Sequence, residues 1–495
     1  MSGPLSLLPA AAVGLLHGFD VVILVYFVAV NSSYLMLVLL AARALWRHLR
    51  RSRFVEHEDS FATPTTRPVS LVVPAYDEAV SIVASVRALL ALHYPSFEVI
   101  VVDDGSRDAT FDRLASTFDL VPTNRVIPCD VPVRAAPDSV HVPRDGRTPL
   151  VVVRKQNSGC SDSLNVGINV ARFPLVGTID ADSILDRESL LRVTRPFLDD
   201  PERVVATGGV VRAVNGCQLV EGVVSEARMP RRWLARIQVI EYLRAFMLGR
   251  VGWSSLGSLV LISGAFGLFR RDVVVGIGGF DADCVGQDFE IVTRIHRLMR
   301  QERRDYRVVF VAEPVAWTEV PSTARVLARQ RRRWHRGLWE VLRKHRAMLF
   351  NPCYGRIGLI ALPYYVVFDL LAPLLELLGL VLVPLGLLLG VVDVGFAVWF
   401  LVFAYGYGFV VSLAALAVEE FSFRRYPRWI DLATAMGAAI VENCGYRQFT
   451  AVWRLQGWWG ALRGRQAVWG EMARQGFGGL RPAGELVGAS GKTAA

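Results

Sequence analysis

The residues of this chain best suited to chemistry are carboxylates that close apolar runs. Residues 70–79 read SLVVPAYDEA and residues 97–110 read FEVIVVDDGSRDAT, so Tyr76, Asp77 and Glu78 leave the first run, and Asp103, Asp104 and Gly105 leave the second. A third run, FPLVGTIDAD at 173–182, ends on Asp180 and Asp182 either side of Ala181. On an extended backbone that spacing aims both carboxylates to one side. Such a pair suits a hard divalent cation, Mg²⁺ or Mn²⁺, which takes oxygen ligands and bridges a diphosphate. Asp288 follows a Gly-Gly-Phe turn in GGFDADCVGQDFEIVTRIHR at 278–297 and precedes a helical pattern. A helix N-terminal region favours an ionised carboxylate, which can accept a proton.

The elements that must position these groups follow from the same runs. Near-continuous Val, Ile and Leu separated by a helical stretch predicts parallel strands buried on both faces, hence an α/β sheet whose ligands bind at the carboxyl ends of its strands. Each motif alone has a plainer reading. An Asp-Asp-Gly is a common turn, and Gln330, Arg333 and Trp334 in QRRRW also fit a basic helix lying on a membrane, with Arg at the phosphates and Trp at the interface. The region 122–149, rich in Pro, Asp and Arg, reads as a surface insertion without chemistry.

At 495 residues and 53% hydrophobic, the chain is too apolar for a soluble enzyme and long enough for one α/β domain plus several membrane spans. The first span runs from Phe19 to about Leu45, with no charge between Asp20 and Arg43. Arg43, Arg47, Arg50, Arg51 and Arg53 follow it, which places the catalytic domain in the cytoplasm of a multi-pass protein of the cell (inner) membrane. That basic cluster lies on the wrong side for a cleaved signal peptide. Residues 357–418 read as two helices broken near 389–395, with Asp369 and Glu376 as intramembrane acids that line a passage or pair with another helix. Arg424, Arg425 and Arg428 follow on the cytoplasmic side.

Residues 430–449 either span or lie in the interface. Beyond them, Trp458, Trp459 and Trp469 interleaved with Arg454, Arg463, Arg465 and Arg474 predict an interfacial helix. The net charge of +10 sits mainly beside the spans, where membrane lipids meet it, and calls for no nucleic acid. Six cysteines without a C-x-x-C pair argue against disulfides and zinc.

Taken in order, the Tyr76-Asp77-Glu78 turn, Asp103-Asp104-Gly105, Asp180-x-Asp182, SGAFGLFRRD from Ser263, Gln287-Asp288 and QRRRW resemble the membrane-embedded branch of glycosyltransferase family 2. That branch includes cellulose, hyaluronan and poly-N-acetylglucosamine synthases. The resemblance spans about residues 68–339 and implies a GT-A type, mostly parallel sheet with helices on both faces, flanked by transmembrane helices. It implies inverting, metal-dependent transfer from a UDP-sugar, with a polysaccharide or lipid as acceptor; protein partners are not indicated. By that likeness Tyr76, Glu78, Asp103, Asp104, Lys155, Asp180 and Arg333 meet the nucleotide sugar. Asp104 is the uracil and ribose contact, Asp182 and Asp180 hold the metal, and Asp288 is the base. Ser263, Gly264, Gln330 and Trp334 meet the acceptor.

The implied organisation is a span and basic linker at 1–54, a catalytic domain at 55–350 ending in an interfacial helix, a span pair at 351–428, further membrane or interfacial helices at 429–480 and a disordered tail at 481–495. Two positions depart from the family pattern. Residues 155–165 read KQNSGCSDSLN where relatives read K-x-N-x-G-K-A-D-A-L-N, so Cys160 replaces a Lys, and Gln287 stands where relatives have Glu. A processive synthase, an enzyme adding one sugar to a membrane acceptor, and a scaffold that has kept only the fold all remain compatible with these residues.

Overall fold

The structure, a computed structural model, describes residues 10–52, 66–220, 223–423 and 428–464. Arg53, Arg424, Arg425, Arg465, Trp469, Arg474 and the segment 481–495 lie outside the described residues. The chain divides into two compact units. One contains Leu259–Val320 and the described part of 50–231; the other contains Arg232–Ser258 and the described parts of 1–49 and 321–470.

The first unit is built on a sheet of ten strands. These are β1 (Val69–Ala75), β2 (Phe97–Asp103), β3 (Leu120–Thr123), β4 (Pro137–Pro143), β5 (Leu150–Lys155), β6 (Leu175–Ile179), β7 (Ser183–Leu185), β8 (Val204–Ala213), β11 (Phe266–Arg270) and β12 (Arg307–Thr318), with β9 (Gln218–Val220) and β10 (Val223–Glu226) forming a separate hairpin. The order is β3-β4-β5-β2-β1-β6-β11-β8-β12-β7. The α/β class expected from the apolar runs is present, as a mixed sheet. The strands β5, β2, β1 and β6 run parallel at its centre, while β11 inserts antiparallel between β6 and β8. Val69, Leu71, Val72, Val73 and Val99 to Val102 are fully buried, which accounts for runs without polar alternation.

The region 122–149 differs from the expected surface insertion. It supplies β4, which pairs antiparallel with β5, and Val131, which is fully buried. Asn169 holds Val131 through both backbone groups, its Oδ1 accepting at 2.9 Å and its Nδ2 donating at 2.8 Å. The alternating Ser-Val-His-Val of this strand is flanked by Pro and Asp, which hid the alternation.

The second unit is helical. Ala10–Ser52 is one helix containing the first expected span, and Gly14–Arg47 and Val394–Phe421 are long and apolar enough to cross a membrane. Ile357–Leu370 and Ala372–Leu388 form a pair bent by 40°, which counts as one further span if the two arms cross together. The bend falls just before Pro373, whose missing N–H and ring disfavour an uninterrupted helix. The break expected near 389–395 is present: Gly390 has φ +74° and Asp393 caps the next helix, accepting from Phe396 N at 2.9 Å. The apolar helix Trp429–Val441, at 13 residues, is shorter than a hydrocarbon core requires.

Residues 232–258 and 321–350, read from sequence as part of the catalytic span 55–350, belong to this helical unit. The reason is apolar packing. The helix Trp233–Leu243 buries Ile237, Val239 and Ile240, and Gly252 sits so close to Leu37 that a Cβ there would lie 3.0 Å from its carbonyl oxygen.

Asp369 and Glu376, expected to line a passage or pair with another helix, both meet another helix. Glu376 accepts from Arg447 at 2.8 and 2.5 Å, and the Asp369 backbone carbonyl accepts from Arg454 at 2.6 Å. Both arginines lie on the helix Arg447–Leu462, whose Gly457 abuts the backbone of Arg332. Trp458 packs on His335 and Trp339, leaving Trp459 57% exposed as the outward-facing aromatic.

Candidate active site

Because β5, β2, β1 and β6 are parallel, Lys155, Asp103, Ala75 and Ile179 end on one edge of the sheet, and the loops that follow carry the candidate carboxylates. The turn after β1 is tight: Asp77 has φ +53°, a left-handed conformation that costs a non-glycine residue energy. The turn after β2 holds it. Asp77 N donates to Ser106 Oγ at 3.1 Å and its carboxylate accepts from Arg107 N at 2.7 Å. Glu78 N donates to Thr110 Oγ1 at 2.8 Å, and Ala79 N donates to Asp108 at 3.0 Å. The Glu78 carboxylate accepts from Ser81 Oγ at 2.8 Å, at the start of the following helix. Tyr76 is 39% exposed beside these turns.

Asp103 is buried and accepts from Ser106 N at 3.2 Å, with Arg154 Nε 3.8 Å away. Asp104 is enclosed by the loop after β5. Its carboxylate accepts from Lys155 Nζ, from Ser158 N at 3.0 Å, from Gly159 N at 2.9 Å and from Asn157 Nδ2 at 3.3 Å. The Lys155 side chain is fully buried and donates to Asp104, Ser158 Oγ and the Gln156 carbonyl. Asp104 and Lys155, two of the residues expected to meet the donor, thus also hold the 155–159 loop. Gly105, at φ +69°, permits this closeness, since a Cβ there would lie 2.8 Å from Asn157 N.

The relay continues through Ser158 to Asp162, which also accepts from Arg134 N at 2.6 Å and Ala135 N at 3.2 Å. Burial alone would raise the Asp162 carboxyl, but the hydrogen bonds from Ser158, Arg134 and Ala135, with the Lys155 charge, hold it below the ordinary carboxylate value. Asn157, Ser158 and Ser161 were not singled out from sequence, although the Lys-x-Asn-x-Gly spacing of 155–159 was their available signal.

One pocket of this unit is lined by Asp180, Ser263, Gly264, Gln287 and Asp288, together with apolar residues that include Ile179 and Ile262. Asp180 follows β6 directly. The segment 180–183 is a turn, with Ser183 N donating to the Asp180 carbonyl at 2.9 Å, so the extended geometry assumed for Asp180 and Asp182 is replaced by a reversal after Ile179. The turn arises where the chain passes from β6 to β7, strands at different places in the sheet. Gly264 faces both Asp180 oxygens, each 3.9 Å from where its Cβ would stand. Asp288 lies in the first turn of the helix Gln287–Gln301, where the sequence placed it. Gln330, Arg333 and Trp334 belong to the helical unit, on Ala324–Lys344. Gln330 is buried, and the Arg331 guanidinium lies 4.5 Å over the Trp334 ring.

Among the described residues no cluster of three or more His, Cys, Asp or Glu is disposed to hold a metal. Asp180 and Asp182 would supply the carboxylate oxygens that a hard cation such as Mg²⁺ or Mn²⁺ takes.

Residues 64–337, just over half of the chain, match the model of the family described as glycosyltransferase like family 2. The chain belongs to this family of glycosyltransferases. It is 27% identical over 276 residues to the poly-beta-1,6-N-acetyl-D-glucosamine synthase of Staphylococcus aureus (strain COL), which is 55% of each chain. It is 25% identical over 274 residues to the enzyme of that name from Staphylococcus epidermidis, again 55% of each. The chain thus spans about half the length of the curated relatives it matches. Among solved structures, the mannosyltransferase PcManGT from Pyrobaculum calidifontis, in complex with GDP-Man and Mn²⁺, aligns at 20% identity and a TM-score of 0.49, over 86% of this chain and 99% of that one. TarS 1-349 of S. aureus in complex with UDP-GlcNAc aligns at 14% identity and a TM-score of 0.37, over 77% and 92%. Two helices of the described residues, long and apolar enough to cross a membrane, point to membrane association.

Proposed function

We propose that this enzyme transfers a sugar, with inversion, from a UDP-sugar to a growing β-linked polysaccharide at the cytoplasmic face of the cell membrane, and that it passes the product through its helices. The observation that carries the proposal is a pocket lined by Asp180 and Asp288 together with Ser263 and Gly264. Asp288 takes the proton of the acceptor hydroxyl as that oxygen attacks the anomeric carbon, and a displacement with one base inverts the centre. A Mg²⁺ or Mn²⁺ ion held by Asp180 and Asp182 would offset the charge developing on the leaving diphosphate.

Tyr76, Glu78 and Asp103 frame the nucleoside side. Asp104 and Lys155 act by fixing the 155–159 loop. Arg333 is assigned to the diphosphate, and Gln330 and Trp334 to the acceptor, on their motif alone. The likeness to a poly-N-acetylglucosamine synthase supports a polymeric product and makes UDP-N-acetylglucosamine the first donor to try. A second reading, transfer of one sugar to a lipid acceptor, is favoured by how few long apolar helices the described residues offer to enclose a passage.

The test is incubation of purified protein in detergent or nanodiscs with a panel of nucleotide sugars and divalent ions, reading nucleotide release and product length. Polymer from one UDP-sugar is expected. A single-sugar lipid product supports the second reading, and no release from any donor removes both.

A further inference from the structure

The two departures from the family pattern meet. Gln287 Nε2 donates to Cys160 Sγ at 3.4 Å, and Gln287 Oε1 accepts from Ser161 Oγ at 2.7 Å. We propose that Cys160, Ser161 and Gln287 form a neutral latch that ties the first turns of two helices together and positions Asp288. This rests on the reading of Asp288 as the base.

The helix Cys160–Val170 begins after Gly159 and the helix Gln287–Gln301 after Gly286, so neither N-cap residue brings a side chain; in the second helix the Asp288 carboxylate accepts from Phe289 N at 3.0 Å. Without a cap, the first turn of a helix leaves its N–H groups unsatisfied and is free to fray. The latch pins both starts to each other. Gln287 is adjacent to Asp288 in sequence and lines the same pocket. The carboxamide, gripped at both ends, therefore fixes the turn from which the base projects.

The latch is neutral at both ends, and it borders a pocket that already holds two carboxylates. Returning only the Glu would add a third carboxylate to a pocket wall that already holds Asp180 and Asp288. Returning only the Lys would add an ammonium with no anionic partner at position 287. Cys160 and Ser161 are thus positioning residues that act through Gln287.

The test is a double-mutant cycle of wild type, Cys160→Lys, Gln287→Glu and the double variant. Each is read for kcat and KM with the active nucleotide sugar, and for thermal midpoint in detergent. Gln287→Glu alone should lower kcat/KM. The double variant should exceed the product of the two single effects by about tenfold, the coupling expected of side chains in contact. Ser161→Ala, which removes one grip and adds no charge, should lower kcat with KM nearly constant. Additive effects within about twofold in both kcat/KM and midpoint overturn the latch. If wild type turns over no nucleotide sugar, the functional reading fails, and the midpoints alone still decide whether the two residues are coupled.

Discussion

Lys155 and Asp104 form a fully enclosed ion pair, with 0% and 5% of their side chains exposed. Removing one partner of such a pair strands the other charge in the interior, which typically costs about 3–5 kcal/mol. Lys155→Met should therefore lower the thermal midpoint sharply and impair donor binding and turnover together. A variant of native stability with only a raised KM would show instead that the ammonium serves the donor directly.

Asp288→Asn should reduce transfer by about 10²–10⁴-fold, the usual contribution of a positioned base, while nucleotide affinity measured by calorimetry stays nearly constant. The donor pocket is built from other loops. Undiminished transfer would remove Asp288 from the base role.

Asp182→Ala should lose both metal dependence and nucleotide affinity, because the carboxylate is assigned to the ion that bridges the phosphates. Activity of the wild type that persists unchanged in EDTA would contradict that assignment.

His296 gives the sheet unit a pH dependence. It is buried, with one ring nitrogen 2.7 Å from the Leu259 carbonyl and the other 2.7 Å from the Tyr306 hydroxyl, a setting that satisfies the neutral ring. Burial pushes its pKa down to about 4 from an ordinary 6.5, with Arg300 adding to the shift against the Leu259 hydrogen bond. The unfolded chain therefore takes up this proton first as pH falls. The contribution is complete above 6.5 and is lost progressively toward 4, by up to about 3 kcal/mol. Thermal midpoints across that window should fall in wild type and flatten in His296→Gln. An equal slope in both would assign the loss to other groups.

Trp334 separates the polymer reading from the single-sugar one. A product retained between additions needs a contact that tolerates sliding, and an aromatic face against a sugar ring provides it. Trp334→Ala should shorten or abolish polymer while nucleotide release without acceptor falls much less. An unchanged product, in length and amount, would exclude that role.

The strands were legible because β1, β2 and β6 are buried on both faces and so read as unbroken apolar runs. The carboxylates at their ends were legible because Asp and Gly gather where such strands stop. Asp288 was placed correctly by the helical pattern that follows it. The sequence could not show that Asp104 would be closed off by Lys155, Ser158 and Gly159, since that depends on how a loop folds back over a neighbouring strand. Nor could it show that Cys160 and Gln287 touch, being 127 positions apart. The helix Trp233–Leu243 was assigned to the wrong side of the molecule's division because its apolar residues look the same whether they cover a sheet or other helices.

The bent apolar segment also constrains the order in which this chain can be assembled. The acids flanking its bend, Asp369 and Glu376, are met by Arg454 and Arg447, which lie 85 and 71 positions later. Both arginines come from one helix, seven residues and so about 10 Å apart along its axis, which matches two turns. Until that helix has left the ribosome, two carboxylates wait in an apolar segment without their cations, an unfavourable state at membrane depth. The bent segment therefore reaches its final seat only after residues 447–454 have been made.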